Sequence, residues 1–296
     1  MATPLFYGIF AAVATPFKEG KIDEKAFSKH VLFLLDGGVS GVVPCGTTGE
    51  SVALSAAERG RLIQLSVELC QGRAHVVPGT GAPTLEEALA HTRQAQELGV
   101  SGALVVTPYY VKADAEGTRD YYQKLHDGTD LPLLLYNNPG RTGVELSLAL
   151  IERLATDAPR VCGLKDASTD LSRPVLLRES LGENFSLLSG EDPTFGAFLA
   201  QGGDGVISVG ANVLPQVYRR FWDHFQKGER AELALLRGQL MQLSQLLFQA
   251  PSPGPLKYAL SLMGYGDGTT RLPLGPLSRA HRERIEAFLH SWKLCA

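Results

Sequence analysis

The chain has few of the residues that build metal and disulfide sites. Its 296 residues include four cysteines and seven histidines. Cys45, Cys70, Cys162 and Cys295 lie far apart with no CxxC pair, and no HExxH or His/Cys cluster occurs. The common zinc spacings are therefore excluded, no metal or other cofactor is expected, and the cysteines read as free thiols of a reducing cytoplasm. The stretch Met1 to Gly8 has no basic region followed by a long apolar one, so no secretory leader is expected. No apolar run reaches the roughly 20 residues that cross a bilayer, so no membrane partner is expected either. Basic stripes are missing too. The net charge is -3, and the densest arginine segment, Arg279, Arg282 and Arg284, is interleaved with Glu283 and Glu286 like the wet side of a helix, which argues against nucleic acid. No GxGxxG follows the first strand-like run and no P-loop occurs, so the phosphate-binding signals of open nucleotide-binding sheets are absent.

What the chain does have is alternation. Eight short β-branched or leucine-rich runs recur: Ile9 to Ala14, Gly41 to Pro44, His75 to Pro78, Ala103 to Thr107, Leu131 to Tyr136, Val161 to Lys165, Phe185 to Leu188 and Gly205 to Val209. Between most of them lie amphipathic stretches that predict helices, including Asp23 to Asp36, Ser55 to Cys70, Thr84 to Leu98, Thr118 to His126 and Ser147 to Ala155. Ser55, Thr84 and Ser147 are suitable N-caps, and Gly37-Gly38, Gly99 and Gly202-Gly203 are suitable stops. Eight β/α units in one chain of this length predict an α/β fold of the (β/α)8 TIM-barrel type over residues 1–214. Residues 215–296 predict a helical extension packed on the barrel, with helices at Gln216 to Gln226, Ala231 to Leu247, Gly254 to Met263 and Arg279 to Trp292.

Barrel enzymes carry their chemistry at the carboxyl ends of the strands. The fifth run ends in Tyr136-Asn137-Asn138, the sixth in Lys165-Asp166 and the fourth in Thr107-Pro-Tyr109-Tyr110. A lysine in a buried strand is expensive, because burial disfavours the ammonium. A desolvated lysine is also the nucleophile that forms imines with carbonyl compounds. The structural alternatives are a lysine that snorkels to solvent or pairs with Asp166. Imine chemistry needs a proton donor and acceptor and a relay to solvent, which Tyr136, Thr47 and Tyr110 can supply. Cys45-Gly-Thr47-Thr48-Gly49-Glu50 reads either as an anion cradle or as a tight turn in which Thr48 or Ser51 caps a helix. Arg141, in Pro139-Gly-Arg-Thr-Gly143, is a surface charge or a bidentate clamp for a substrate carboxylate. Glu191 and Asp192 read as N-caps of the helix that follows them.

These residues resemble those of the dihydrodipicolinate synthase and N-acetylneuraminate lyase superfamily of pyruvate-dependent class I aldolases. The likeness runs from Thr15-Pro16 through Gly46-Thr-Thr-Gly-Glu50, Thr107-Pro-Tyr-Tyr110, Tyr136-Asn-Asn-Pro139, Gly163-Leu-Lys165-Asp, Ser189-Gly190 and Gly205-Val-Ile-Ser208 to Arg271-Leu-Pro-Leu274. Gly46 to Glu50 and Arg141 to Gly143 look like the branch that condenses pyruvate with aspartate-semialdehyde, which feeds lysine and diaminopimelate synthesis. The resemblance implies that Lys165 forms the Schiff base, that Tyr136 donates and accepts the proton, and that Thr47 and Tyr110 complete the relay. It further implies that Thr48 binds the pyruvate carboxylate, Arg141 the carboxylate of the aldehyde, and that the backbone at Gly190 and Ile207 lines the pyruvate pocket. No cofactor or metal is implied, and the assembly implied is a homotetramer, a dimer of dimers in which Tyr110 reaches the neighbouring site.

A sialic-acid or 2-keto-3-deoxy sugar-acid lyase of the same superfamily would share Lys165 and Tyr136. Arg141 favours a short charged aldehyde over a polyhydroxylated chain. A non-catalytic keto-acid-binding barrel would be expected to have lost the lysine, the tyrosine or the relay. Lysine-inhibited members commonly place histidines where this chain has Ala56 and Arg59 and asparagine where it has Pro83, although Ser51, Glu87 and Tyr109 match. Weak or absent feedback inhibition by lysine is therefore expected.

Overall fold

In the computed structural model, which describes residues 3–295, every one of the eight runs forms a strand. They are Gly8–Ala12, Gly41–Val43, His75–Val76, Ala103–Val106, Leu133–Asn137, Val161–Asp166, Ser186–Ser189 and Gly205–Ser208. Each is followed by a helix: Glu24–Asp36, Ala56–Cys70, Leu85–Glu97, Ala115–Asp127, Leu148–Asp157, Arg173–Leu181, Phe195–Ala200 and Pro215–Lys227. Local chemistry sets these starts. Ser55 and Glu58 form a reciprocal capping box, and the side chains of Thr84 and Ser147 accept from Glu87 N and Leu150 N. Each such cap stabilises its helix by about 1 kcal/mol. The helix expected from Thr118 begins a turn earlier, at Ala115, because Asp114 accepts from Gly117 N at 2.7 Å.

The chain forms two compact units. One comprises Met1–Gly8 with Val76–Ile207, the other Ile9–His75 with Ser208–Ala296. In the first unit the strands starting at Gly205, Ser186, Val161, Leu133 and Ala103 are hydrogen-bonded in that order, all parallel. Leu133, Leu134 and Leu135 are all 0 % exposed. A run buried on both faces is what a parallel sheet requires, and each such leucine contributes about 1.5–3 kcal/mol. Gly163 shows how tightly the layers close: a Cβ there would lie 2.6 Å from Leu134 Cδ2 and from Ser186 Cβ.

In the second unit Phe10, Ala11 and Ala12 pair in parallel with Gly41, Val42 and Val43. Phe17–Lys18 and Lys21–Ile22 make a short antiparallel ribbon too brief for any hydrophobic period to announce. No strand follows Ser208 among the described residues. The helices Pro215–Lys227, Arg230–Leu247, Gly254–Leu262 and Arg279–Ser291 share this unit with residues 9–75. His30 is buried in the Glu24–Asp36 helix, with Nε2 3.1 Å from the Asn212 carbonyl oxygen. Among the described residues no helix is long and apolar enough to cross a membrane.

Candidate active site

Tyr136 and Lys165 face each other across one rung of the first unit's sheet. An irregularity puts them there. Leu133 pairs with Val161 but Leu134 pairs with Gly163, so Cys162 is an extra residue, and its Sγ donates to Leu133 O at 3.6 Å. Such a bulge shifts every later residue by one and re-aims side chains. Without it Tyr136 would meet Leu164. With it, Lys165 Nζ lies 4.1 Å from the Tyr136 ring centroid, a cation–π distance.

Both groups are 7 % exposed, which removes snorkelling as an account of the lysine. Pairing with Asp166 is removed as well, because the Asp166 carboxylate is bonded to Arg173 Nε at 2.7 Å on the other face of the strand. Among the described residues no carboxylate forms an ion pair with Lys165. The Tyr136 hydroxyl accepts from Asn138 Nδ2 at 2.8 Å. Burial pushes that hydroxyl up, but the Lys165 charge, the Asn138 amide and the Arg141 guanidinium outweigh it, and the net direction is below the usual phenol value. A buried tyrosine that gives up its proton more readily beside a lysine is suited to shuttling protons.

Arg141 sits exposed on the short helix Pro139–Thr142 that directly follows the Tyr136 strand. Gly190 N donates to Asp166 O at 2.6 Å, and a Cβ on Gly190 would lie 2.8 Å from Ala167 Cβ, so a side chain there would force apart the strand end that carries Lys165. Ile207 is 1 % exposed in the Gly205–Ser208 strand. Tyr110 is 92 % exposed and has φ +74°, an uncommon conformation for a bulky residue.

The next helix has Thr194, not Glu191, at its N-cap position. Glu191 instead lies within the electrostatic reach of Lys165 and Arg141: burial and Asp192 raise its pKa, and the two cations oppose that rise without cancelling it. No sequence signal ties its charge to Lys165.

Thr47 and Thr48 belong to the second unit. Their turn is closed by Gly49 N and Ser51 N donating to Gly46 O and by Glu50 N donating to Thr47 O. Thr15 Oγ1 donates to Gly49 O at 2.8 Å. Neither Thr48 nor Ser51 caps a helix; Ser55 does, and Glu50, with φ +54°, precedes the one-turn helix Ser51–Ala53. Glu50 anchors the turn from below. Its Oε1 accepts from Lys257 Nζ at 2.5 Å and its Oε2 from Arg271 N at 2.8 Å. The Glu50 and Lys257 side chains are 2 % and 3 % exposed. Arg271 also donates to both carboxylate oxygens of Glu58, at 2.5 and 2.9 Å, which holds the Glu58 carboxyl down at about 2.

Known proteins converge on the same reading. The model of the dihydrodipicolinate synthetase family matches residues 5–292. The chain is 48 % identical over 285 residues to the 4-hydroxy-tetrahydrodipicolinate synthase of Rhodospirillum centenum, covering 96 % of this chain and 98 % of that one. Among solved structures, a dihydrodipicolinate synthase from Acinetobacter baumannii complexed with pyruvate matches with TM-score 0.93 and 36 % identity, over 97 % of this chain and 99 % of that one. The enzyme from Cyanidioschyzon merolae with lysine bound matches with TM-score 0.95 and 31 % identity, over 99 % and 100 %. Together with the eightfold β/α order, these matches bear out the expected (β/α)8 barrel with its C-terminal helices. The chain belongs to the dihydrodipicolinate synthetase family.

Proposed function

We propose that the protein catalyses the 4-hydroxy-tetrahydrodipicolinate synthase reaction, condensing pyruvate with L-aspartate-4-semialdehyde through a Schiff base on Lys165, in lysine and diaminopimelate synthesis. The observation that carries this is the buried lysine without a carboxylate partner, set over the ring of Tyr136. A lysine in that setting has its nitrogen free to attack the keto carbon of pyruvate.

The carbinolamine so formed loses water to give the imine, and loss of a C3 proton gives the enamine. The enamine carbon attacks the aldehyde carbon of the semialdehyde, and the aldehyde oxygen takes up a proton. The substrate's own amine then displaces Lys165 at the imine carbon, which closes the ring and restores the lysine. Tyr136 gives and takes the protons of the carbinolamine steps, with Thr47 and Tyr110 as the relay to solvent. Thr48 binds the pyruvate carboxylate and Arg141 that of the semialdehyde, while the backbone at Gly190 and Ile207 lines the pyruvate pocket. No step requires a metal or a bound cofactor. The reaction is placed in the cytoplasm.

Tyr110, almost fully exposed on one protomer, supports an assembly in which it completes a neighbour's site, read as a dimer of dimers. A fully active monomer in sedimentation would remove Tyr110 from the relay. The direct test of the reaction is borohydride reduction in the presence of pyruvate, with peptide mapping and a semialdehyde turnover assay. The wild type should carry one pyruvate adduct on Lys165 and turn over. Lys165→Ala should give no adduct and lose activity by on the order of 10³-fold or more. A wild-type enzyme without an adduct would sink the imine mechanism.

A further inference from the structure

The rung just beyond Tyr136 and Lys165 pairs Asn137 with Asp166. Side chains alternate along a strand, so these two occupy the face opposite the reacting pair. They are 0 % and 5 % exposed, and Asn137 Nδ2 donates to Asp166 Oδ1 at 3.0 Å. Their remaining polar atoms are also engaged. Asn137 Oδ1 accepts from Leu146 N at 3.0 Å, and Asp166 Oδ1 from Ser168 N at 2.9 Å. Arg173 spans the group: Nε donates to Asp166 Oδ2 at 2.7 Å and Nη2 to Leu146 O at 2.8 Å, and the residue is 5 % exposed.

We propose that Asn137, Asp166 and Arg173 are positioning residues that clasp the ends of the two strands and so fix the distance and tilt between Lys165 and Tyr136. This rests on the roles assigned above to those two residues. The backbone ladder between these two strands ends at the Asn137–Asp166 rung; one strand turns at once toward the short helix Pro139–Thr142 and the other into a loop, so no later rung fixes their separation. A buried ion pair adds little net stability over apolar packing. A clasp with several directed bonds does restrict geometry, and a misplacement of about 1 Å in a reacting pair lowers rate on the order of 100-fold. The clasp faces away from the reacting groups, so its loss should leave pyruvate binding nearly intact and slow the proton steps.

The test is Asn137→Ala, which removes the cross-strand bond and leaves the Asp166–Arg173 pair in place. Expected are a kcat lower by about 10- to 100-fold, a pyruvate KM close to that of the wild type, and a full borohydride adduct at saturating pyruvate. Deuterium exchange at the pyruvate methyl should slow along with kcat. Asn137→Asp adds a pH readout. Two facing carboxylates share a proton, so this variant should regain kcat as the pH is lowered toward 6, a gain the wild type does not show. Should Asn137→Ala fail to fold, Arg173→Lys keeps the charge but loses the fork that reaches both Asp166 and Leu146, and the same split between kcat and KM is expected. Wild-type kcat and exchange in a folded Asn137→Ala or Arg173→Lys enzyme overturns the clasp. Absence of a pyruvate adduct on the wild type overturns the role of Lys165, and the clasp with it.

Discussion

Lys165 and Lys257 are two buried lysines with opposite neighbours. Each lies over an aromatic ring, Lys165 Nζ 4.1 Å from the centroid of Tyr136 and Lys257 Nζ 4.0 Å from that of Phe17, and each is less than a tenth exposed. Lys257 has a carboxylate, Glu50, at 2.5 Å. Lys165 has none among the described residues. Burial pushes the Lys257 ammonium down in spite of Glu50, but the paired charge is committed to holding a loop. The other amine is uncommitted, and what faces it is a hydroxyl able to move protons. Burial alone therefore does not separate the two lysines; the ion-paired carboxylate, present at Lys257 and absent at Lys165 among the described residues, does.

The strongest way to break this contrast is to remove Lys257. Lys257→Met leaves the buried Glu50 carboxylate without its ammonium counter-charge, held only by Arg271 N, and should destabilise the protein by about 3–5 kcal/mol in urea titrations. Adding Glu50→Gln should recover a large part of that loss, because the stranded charge is gone. A Lys257→Met enzyme of unchanged stability that fails to form the pyruvate adduct would mean that the two lysines had been assigned the wrong way round.

A third buried base in the same unit as Lys257 sharpens the rule. His30 is 1 % exposed and burial lowers its pKa from 6.5 to about 4, with the Asn212 carbonyl opposing only in part. The unfolded chain takes up a proton as the pH falls through 6.5, whereas the folded chain takes it up only near 4. Stability contributed by neutral His30 is thus present above 6.5 and lost toward 4, amounting to about 2–3 kcal/mol by pH 4.5. His30→Gln should remove that part of the acid sensitivity. Equal urea-midpoint losses in variant and wild type between pH 7 and 4.5 would refute the assignment.

The smallest expected effect concerns lysine as a free molecule. Ala56 and Pro83 offer no side-chain hydrogen bond to an amino acid, and Arg59 brings a cation whose Nη1 donates to Ser51 O at 3.2 Å. Millimolar lysine should leave the initial rate nearly unchanged. Half-inhibition below 1 mM, about the affinity at which binding is worth 4 kcal/mol, would show that other groups hold the effector.

The strands and the Lys165–Tyr136 pair were legible because their signals are local. A run such as Leu133–Leu135 has few ways to hide its side chains other than a buried strand, and a polar residue at its end stands out against it. The helix Arg173–Leu181 was not legible, since its apolar residues do not line one face and Arg173 is buried by a partner at Asp166 that no spacing rule predicts. Cys162 gave no sign of being the extra residue that brings Lys165 opposite Tyr136, because a bulge is set by the neighbouring strand. Glu50 was visible within Gly46 to Glu50, but its buried role depends on Lys257, and no pattern within a helix or strand links residues so distant.

That distance has a consequence for the order of events in synthesis. Glu50 and its partner are 207 positions apart, so at about 5–20 residues per second the ribosome releases the threonine turn roughly 10–40 s before the lysine that anchors it exists. Throughout that interval the nascent chain has its first β/α units but lacks the brace beneath Thr47 and Thr48. The C-terminal helices thus act as a completion signal: a chain that stops short of Lys257 has the whole Gly46 to Glu50 turn and still cannot brace it.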